Sequence, residues 1–324
     1  MTTPSTESGG FEALDLAGRR REASALRARQ EDTPSTVSIR LREGDARKLE
    51  WLPDNSVHLI VTSPPYWTLK EYNDTPGQLG HIAEYEEFLD QLDRVWQHGF
   101  RALVPGGRLV CVVGDVCLSR RAHGRHFVMP LHSDISVRCR KIGFDNLNPI
   151  IWLKIANASF EVEGGGSKFL GKPYEPNAIV KNDMEFILMQ RKPGGYRTPS
   201  DEQRKLSMIG KEEFDAWFRQ TWTLTGASTR EHPAPFPLEL ADRLVRMFSF
   251  VGDTVLDPFA GSGTTLVAAG QAHRNAIGVE IDPEYLELAA DRIGKIGNLF
   301  HQPAIEIARK SRSPGRAKRR ANGK

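Results

Sequence analysis

Long apolar runs and a cysteine pattern are both missing from this chain of 324 residues. No run approaches the ~20 apolar residues of a membrane-spanning helix, and the N-terminal MTTPSTESGG lacks the basic-then-apolar order of a secretory signal. The three cysteines, Cys111, Cys117 and Cys139, cannot all pair and form no C-x-x-C motif. We therefore expect a cytoplasmic protein with reduced thiols, no membrane segment and no metal site.

Acidic residues are absent from residues 308–324, ARKSRSPGRAKRRANGK, which contain eight lysines and arginines. The whole chain carries a net charge of only +3, so the rest of it is net acidic. Basic segments of this kind are usually disordered and contact polyanions. We expect residues 301–324 to form a basic disordered tail that contacts DNA phosphates, and the polar residues 1–35 to form a flexible N-terminal segment.

Between these ends, short apolar runs alternate with segments of helical periodicity. Strands are predicted at 37–41, 57–62, 108–115, 148–154, 183–190, 254–257 and 275–282, and helices at 84–103, 130–141, 211–220, 237–250 and 283–297. This alternation predicts an α/β fold over residues 36–300, with a doubly wound, mostly parallel sheet that binds its ligands at the carboxyl ends of the strands. Residues 155–182 show little periodicity, and so do residues 193–230 apart from the predicted helix at 211–220. The region 155–230 is therefore predicted to contain an insertion.

A glycine-rich turn, DPFAGSGTT (257–265), follows the strand at 254–257. Its two glycines allow a tight turn and a close approach of backbone to ligand. Leu266 replaces the third glycine of a dinucleotide fingerprint, and Thr264 stands where a phosphate-binding loop has lysine. Glu280 ends the next strand, where a carboxylate can accept both hydroxyls of a ribose. The pattern indicates a site for a nucleoside without a pyrophosphate.

Two prolines end the apolar strand at 57–62, in the sequence VTSPPYW (61–67). Neither proline can donate a backbone hydrogen bond, so the strand must stop there. Two interpretations remain open on these residues alone. The segment is either a rigid turn whose aromatic rings cap the core, or a stiff pocket in which a hydroxyl and carbonyls face a flat ligand stacked on a ring.

Together, TSPPYW and DPFAGSGTT resemble the S-adenosylmethionine-dependent amino-methyltransferases of DNA, and residues 230–265 are especially similar to them. The resemblance spans about 37–297. Its order, with the catalytic loop first, is that of the β-class, whose sheet is a circular permutation of the usual methyltransferase sheet. The chain is most similar to the cytosine-N4 enzymes of restriction-modification systems. This implies site-specific methyl transfer from S-adenosylmethionine to the N4 amine of a flipped cytosine in double-stranded DNA, with target recognition within 155–230.

The resemblance also assigns residues. Ser63 Oγ and the Pro64 carbonyl would accept hydrogen bonds from the amine, Pro65 would stiffen the loop and Tyr66 would stack on the base. Asp115, at the end of the neighbouring strand, is either a partner of Ser63 and late proton acceptor or an ordinary cap. The residues predicted to bind the cofactor are Asp45, Pro235, Phe236, Asp257, Phe259, Gly261, Gly263, Thr264 and Glu280. His81 and Trp152 are weaker candidates, with a surface and a core position as the competing interpretations.

Two other functions stay open at this level. Ser63 heads the catalytic loop, as in cytosine-N4 enzymes, whereas adenine-N6 enzymes of the same fold usually have Asp or Asn there. A non-catalytic nucleic-acid-binding module is the second alternative, although both motifs are intact. No cysteine follows a proline, which disfavours the C5-cytosine methyltransferases. A homodimer, a cognate restriction endonuclease and association with the nucleoid are all compatible with the resemblance.

Overall fold

The computed structural model describes residues 37–70, 72–154, 176, 180, 182–227, 236–297 and 302–310. The predicted flexible segment 1–35, Pro235, most of 155–181 and residues 311–324 lie outside the described residues. No helix in the described ranges is both long and apolar enough to cross a bilayer.

A central sheet of ten strands organises the described part of the chain. Its strands are β1 (Ser38–Glu43), β2 (Val57–Thr62), β3 (Leu103–Val113), β6 (Asp145–Asn146), β7 (Ile150–Lys154), β8 (Met184–Arg191), β9 (Thr221–Leu224), β10 (Thr254–Asp257), β11 (Asn275–Glu280) and β12 (Ala304–Ala308). A separate hairpin consists of β4 (Val116–Leu118) and β5 (Phe127–Met129). The helices are α1 (Tyr85–Ala102), α2 (Arg120–His123), α3 (Leu131–Ile142), α4 (Asp201–Leu206), α5 (Lys211–Trp217), α6 (Leu238–Phe248), α7 (Thr264–Gln271) and α8 (Pro283–Gly294), with a 3₁₀ turn at Leu79–His81.

The strand order is β12-β1-β11-β10-β2-β3-β8-β7-β9, with β6 pairing with β8. The strands from β12 to β3 are all parallel, and β8 is antiparallel to both β3 and β7. Two apolar clusters cover the two faces, one including Leu240 and Leu244 of α6, the other Phe88 and Trp96 of α1. Strands covered on both faces are apolar at successive positions, as β2 is at residues 59–61 and β11 at residues 276–279. The predicted doubly wound, mostly parallel fold is confirmed.

Some boundaries differ from the prediction. Strand β3 begins at Leu103 and not at 108, because Pro105 and Gly106 form an irregularity and do not end the strand. Gly106 has a φ of 79°, and the register with β2 shifts between Val57 and Leu59.

Two further strands, in addition to the two-residue β6, lie where no sheet strand was expected. β9 belongs to the region predicted to recognise the target, yet it pairs with β7 in the central sheet. β12 falls within the predicted disordered tail, but it pairs in parallel with β1, with Ile305 opposite Ile39. Both strands are short, and their stability comes from pairing with a neighbour that is distant in sequence.

Candidate active site

The two motifs singled out in the sequence meet at the carboxyl edge of the sheet. β2 and β10 are neighbours, and Thr62, the last residue of β2, donates a hydrogen bond from Oγ1 to Oδ1 of Asp257, the last residue of β10, at 2.7 Å. The catalytic loop and the cofactor loop therefore start from directly connected points. The parallel pairing of the two strands produces this arrangement, because it brings their carboxyl ends together.

A cavity opens where these loops meet. It encloses about 550 Å³ of space, part of it open to solvent. Its lining comprises Gly44, Asp45, Ala46, Ser63, Pro65, Tyr72, Gly77, Gln78, Leu79, Pro258, Phe259, Gly261, Val279, Glu280, Ile281 and Tyr285. Ser63 and Pro65 of the catalytic loop thus share one cavity with Phe259, Gly261 and Glu280 of the predicted cofactor site.

The glycines of the cofactor loop are required by its backbone. Gly261 and Gly263 have φ angles of 51° and 77°, in the left-handed region that disfavours other residues. A Cβ on Gly263 would also lie 3.0 Å from the Cβ of Ala289 on α8. Thr264 faces the same side, within 3.2 Å of Arg292 Nη1. Gly263 and Thr264 therefore shape the turn and pack it against α8, and they do not line the cavity.

Glu280 reaches the cavity from the end of β11. Its two carboxylate oxygens accept hydrogen bonds from the backbone N–H of Gly261 at 2.7 Å and of Asp282 at 2.8 Å. The residue is only 7% exposed. Burial raises the pKa of Glu280 to about 7, although these two N–H groups favour its ionised form. The carboxylate is fixed in place and is available to accept hydroxyl groups from a ligand.

Asp45 lines the opposite wall of the cavity. Arg47 donates from Nε and Nη2 to its two carboxylate oxygens, each at 2.8 Å. Burial opposes ionisation, but these bonds and the charge of Arg47 lower the pKa of Asp45 below its usual value. Arg47 Nη2 also donates to the carbonyl of Gly77 at 3.0 Å. One arginine thus connects this wall to the segment that covers the cavity.

That segment, residues 72–79, was missed by sequence reasoning. Tyr72 lines the cavity, and two neighbouring side chains attach the segment to the start of α8. Thr75 Oγ1 donates to Oδ2 of Asp282, and Asn73 Nδ2 donates to Oδ1 of the same carboxylate at 3.2 Å. Tyr285 of α8 completes this side of the lining. No motif or period indicated these contacts, since they depend on how a connection folds back over the sheet.

The catalytic loop presents its serine and buries its tyrosine. Ser63 Oγ lies 3.3 Å from the hydroxyl of Tyr66, which is 5% exposed and does not line the cavity. Burial, with a contribution from the Glu185 carboxylate, raises the pKa of Tyr66 well above its ordinary value. Glu185 is itself buried and forms an ion pair with Lys154. These two residues beside the loop were not predicted.

Asp115 lies just after β3 and pairs with a histidine. Its Oδ1 is 2.6 Å from His132 Nδ1 and accepts from the His132 backbone N–H at 3.2 Å. The imidazole stacks on Phe186, with ring centroids 3.7 Å apart. Asp115 therefore has a structural partner, and no hydrogen bond joins it to Ser63 among the described residues.

The predicted site residues divide into three groups. Asp45, Ser63, Pro65, Phe259, Gly261 and Glu280 line the cavity. Pro64, Tyr66, Asp115, Phe236, Asp257, Gly263 and Thr264 lie outside its lining, and Pro235 lies outside the described residues. His81 contacts the Tyr72 carbonyl, and Trp152 is a core residue that is 1% exposed. The catalytic and binding roles themselves stay predictions.

The chemistry of the lining restricts the ligand. Asp45 and Glu280 are acidic, Phe259, Tyr72 and Tyr285 are aromatic, and none of the described lining residues is Lys or Arg. A pyrophosphate in such a cavity would meet carboxylates without a compensating cation. A nucleoside that carries a positive charge, such as the sulfonium nucleoside S-adenosylmethionine, fits both the aromatic walls and the acidic groups.

Comparison with known proteins agrees with this geometry. The sequence model of the DNA methylase family of N6 and N4 methyltransferases matches residues 57–291. The type II methyltransferase M.MjaI of Methanocaldococcus jannaschii is 38% identical over 290 residues, covering 80% of this chain and 92% of the relative. M.MthZI of Methanothermobacter thermautotrophicus is 35% identical, covering 78% of this chain and 75% of the relative.

A solved structure adds the fold-level match. A putative DNA modification methylase of Thermus thermophilus, crystallised in complex with S-adenosylmethionine, is 54% identical, with a TM-score of 0.70, and the match covers 85% of this chain and all of that chain. Fold and site thus define an S-adenosylmethionine-dependent methyltransferase, as the sequence predicted. The chain belongs to the N6/N4 DNA methylase family and is a site-specific DNA methyltransferase.

Proposed function

We propose that this protein transfers the methyl group of S-adenosylmethionine to the exocyclic N4 amine of a cytosine that is flipped out of duplex DNA. The observation that carries the proposal is the position of Ser63, which lines the same cavity as Phe259 and Glu280. A neutral serine at this point is the feature that separates the cytosine-N4 interpretation from the adenine-N6 one.

The cofactor would be held by the lining described above. Glu280 would accept the ribose hydroxyls, Asp45 would lie near the adenine, and Phe259 would pack against the bound molecule. When bound, S-adenosylmethionine supplies an electrophilic methyl group. The protein's own contribution is to hold the target amine, orient it and exclude water, which lowers the barrier chiefly through positioning.

Ser63 and Pro64 would act on the amine. The lone pair of an exocyclic amine is delocalised into the ring, so the amine is a poor nucleophile. Acceptors on its two N–H bonds favour a pyramidal nitrogen with a localised lone pair, and Ser63 Oγ and the Pro64 carbonyl are such acceptors. The serine oxygen can accept from the amine because its own O–H donates a hydrogen bond to the hydroxyl oxygen of Tyr66, 3.3 Å away. Tyr66 is 5% exposed and does not line the cavity, so it would supply a stacking face only if insertion of the base uncovers its ring.

The methylated base decides between the two assignments. DNA methylated by the purified enzyme and S-adenosylmethionine would be digested to nucleosides and analysed by mass spectrometry. We expect N4-methylcytosine as the main product. N6-methyladenine as the main product would refute the cytosine assignment and leave the fold, family and cofactor unchanged.

A further inference from the structure

A basic hairpin projects from the sheet immediately beside the catalytic loop. It consists of β4, α2 and β5, residues 116–129, and it begins directly after Gly114 and Asp115 at the carboxyl end of β3. A Cβ placed on Gly114 would lie 3.6 Å from Cε2 of Tyr66. The hairpin therefore starts two residues beyond Gly114, which lies against the catalytic tyrosine at the carboxyl edge of the sheet.

The charge of this hairpin is of one sign. From residue 116 to residue 133 the chain contains no Asp or Glu, whereas Arg120, Arg121 and Arg125 all lie near its tip. All three arginines are exposed, together with His123 and His126. Gly124, in the left-handed conformation with φ of 73°, turns the chain at the tip, and no atom lies within 4 Å of a Cβ placed there.

These arginines differ from several others in the described part of the chain. Arg138 pairs with Glu86, Asp90 and Asp93, and Arg191 pairs with Asp145. Within the described ranges, none of the three hairpin arginines pairs with a carboxylate, and Arg125 lies above the ring of Phe127 at 4.9 Å. Their charge is available to an external anion.

The base of the hairpin is held rigidly. Asp115, just before it, and His132, just after it, are joined by the two contacts at 2.6 and 3.2 Å described above. The buried side chains of Val116 and Leu118 anchor β4 on the same side. Such an anchor keeps exposed charges at a fixed height above the sheet, which reduces the entropy lost when they bind.

We propose that this hairpin contacts the phosphate backbone of the duplex on one side of the flipped nucleotide, with Arg120, Arg121 and Arg125 as the contacting side chains. Duplex DNA carries one negative charge per ~1.7 Å of helix axis, so a tip with three arginines that have no carboxylate partner among the described residues matches it electrostatically. Contacts of this kind position the duplex over Ser63 and carry no sequence information. The inference rests on DNA being the substrate, and it holds whichever base is methylated.

The test is the triple substitution Arg120→Gln, Arg121→Gln and Arg125→Gln in the full-length protein. DNA affinity would be measured by fluorescence anisotropy at several salt concentrations, on a duplex that the enzyme methylates and on one that it does not. We expect the slope of log affinity against log salt to fall by about 2–3, since each lost phosphate contact removes about 0.9. Both duplexes should lose affinity by the same factor.

Two further readouts separate this role from a structural one. S-adenosylmethionine affinity and the single-turnover rate at saturating DNA should each stay within about twofold of wild type. The matched control replaces Arg94, Arg140 and Lys141, three exposed cations on α1 and α3, with Gln. It removes the same charge and should leave the salt slope unchanged. An unchanged slope in the hairpin variant, an equal change in the control, or a loss confined to one duplex would each overturn the proposal.

Discussion

Strand β10 has a buried aspartate at each end, and the two are held in opposite ways. Asp253, just before the strand, is 1% exposed, accepts from the Phe250 N–H at 2.8 Å and forms an ion pair with Arg197. Asp257, at the carboxyl end, is 2% exposed and is held by neutral donors, among them the Thr62 hydroxyl at 2.7 Å and the Phe259 N–H at 3.1 Å. A cation compensates the first carboxylate, and neutral dipoles compensate the second.

Each edge of the sheet also buries a second charged group, and neutral groups hold it at both edges. At the amino edge, the buried guanidinium of Arg274 donates to the Ser249 hydroxyl and to two carbonyls. At the carboxyl edge, Glu280 is held by two backbone N–H groups and by no cation among the described residues. Burial therefore raises the pKa of Asp257 to about 6 and that of Glu280 to about 7. At the carboxyl edge, Glu280 lines the cavity and Asp257 fixes the start of the loop beside it, whereas Asp253 and Arg274 of the amino edge do not line that cavity.

The largest difference is expected between the substitutions of two serines, Ser63 at the carboxyl edge and Ser249 at the amino edge. Ser63→Ala removes the hydrogen bond that we propose to the reacting amine, so we expect single-turnover methylation to fall by about 10² or more. S-adenosylmethionine affinity and melting temperature should not change. Ser249→Ala is the matched control, because it leaves Arg274 Nε without its partner. It should lower the free energy of unfolding by about 1–3 kcal/mol and leave the rate per folded molecule unchanged. A Ser63→Ala enzyme with more than a tenth of the wild-type rate would contradict this role.

The two aspartates of β10 give the next comparison. Asp257→Ala removes the acceptor that fixes the start of the cofactor loop, so we expect S-adenosylmethionine to bind at least about tenfold more weakly to a protein that remains folded. Asp253→Ala leaves Arg197 without its counter-charge and should cost about 3 kcal/mol of stability, with cofactor affinity unchanged. Calorimetric titration and thermal melts measure the two effects. Equal losses of S-adenosylmethionine affinity in the two variants would show that the two edges do not differ in their contribution to cofactor binding.

A pH series tests the raised pKa of Glu280. Because Asp257 and Glu280 titrate near 6 and 7 when folded and near 4 when unfolded, the folded state binds more protons across this window. Their contribution to the free energy of unfolding is therefore greatest below pH 4 and is lost as pH rises to about 7.

Cofactor affinity, unlike the stability contribution of these carboxyls, should increase as pH rises. In the proposed role only the ionised carboxylate of Glu280 can accept both ribose hydroxyls, so affinity should rise roughly tenfold between pH 6 and pH 8. Glu280→Gln should bind weakly throughout and lose this rise. A variant that keeps the wild-type pH dependence would show that another group, or the cofactor itself, titrates.

The sequence predicted the parts of this fold that repeat a simple pattern. The apolar runs of β2, β10 and β11 identified strands covered on both faces, and the parallel topology then placed Ser63, Phe259 and Glu280 around one cavity. The sequence pattern did not indicate which side chains of a loop face the cavity and which face the protein interior. Asp257 and Gly263 belong to the predicted loop, yet they face Thr62 and Ala289 and do not line the cavity.

Other features could not be predicted because they depend on contacts that are distant in sequence. Tyr72 and Tyr285 reach the cavity only because Thr75 binds Asp282, 207 residues further along the chain. Glu185 lies beside Tyr66 because β8 runs antiparallel to β3. Neither arrangement leaves a local signature, such as a motif or a period, that a single sequence could reveal.

The smallest expected effect concerns the hydroxyl that joins the two loops. Thr62→Val keeps the shape of the side chain but removes the hydrogen bond to Asp257, which would further raise the pKa of that carboxyl and loosen the start of the cofactor loop. A hydrogen bond to a charged group contributes about 1.5–3 kcal/mol, and only part of this free energy should appear as a loss of cofactor binding free energy. We therefore expect a roughly three- to tenfold loss of cofactor affinity at about pH 7. Thr254→Val, at the amino end of the same strand as Asp257, is the matched control and should change affinity by less than about twofold. If cofactor affinity falls in Thr62→Val and not in Thr254→Val, cofactor binding depends on the carboxyl edge of the sheet. Equal losses of affinity in the two variants would instead show that it depends on the paired strands as a whole.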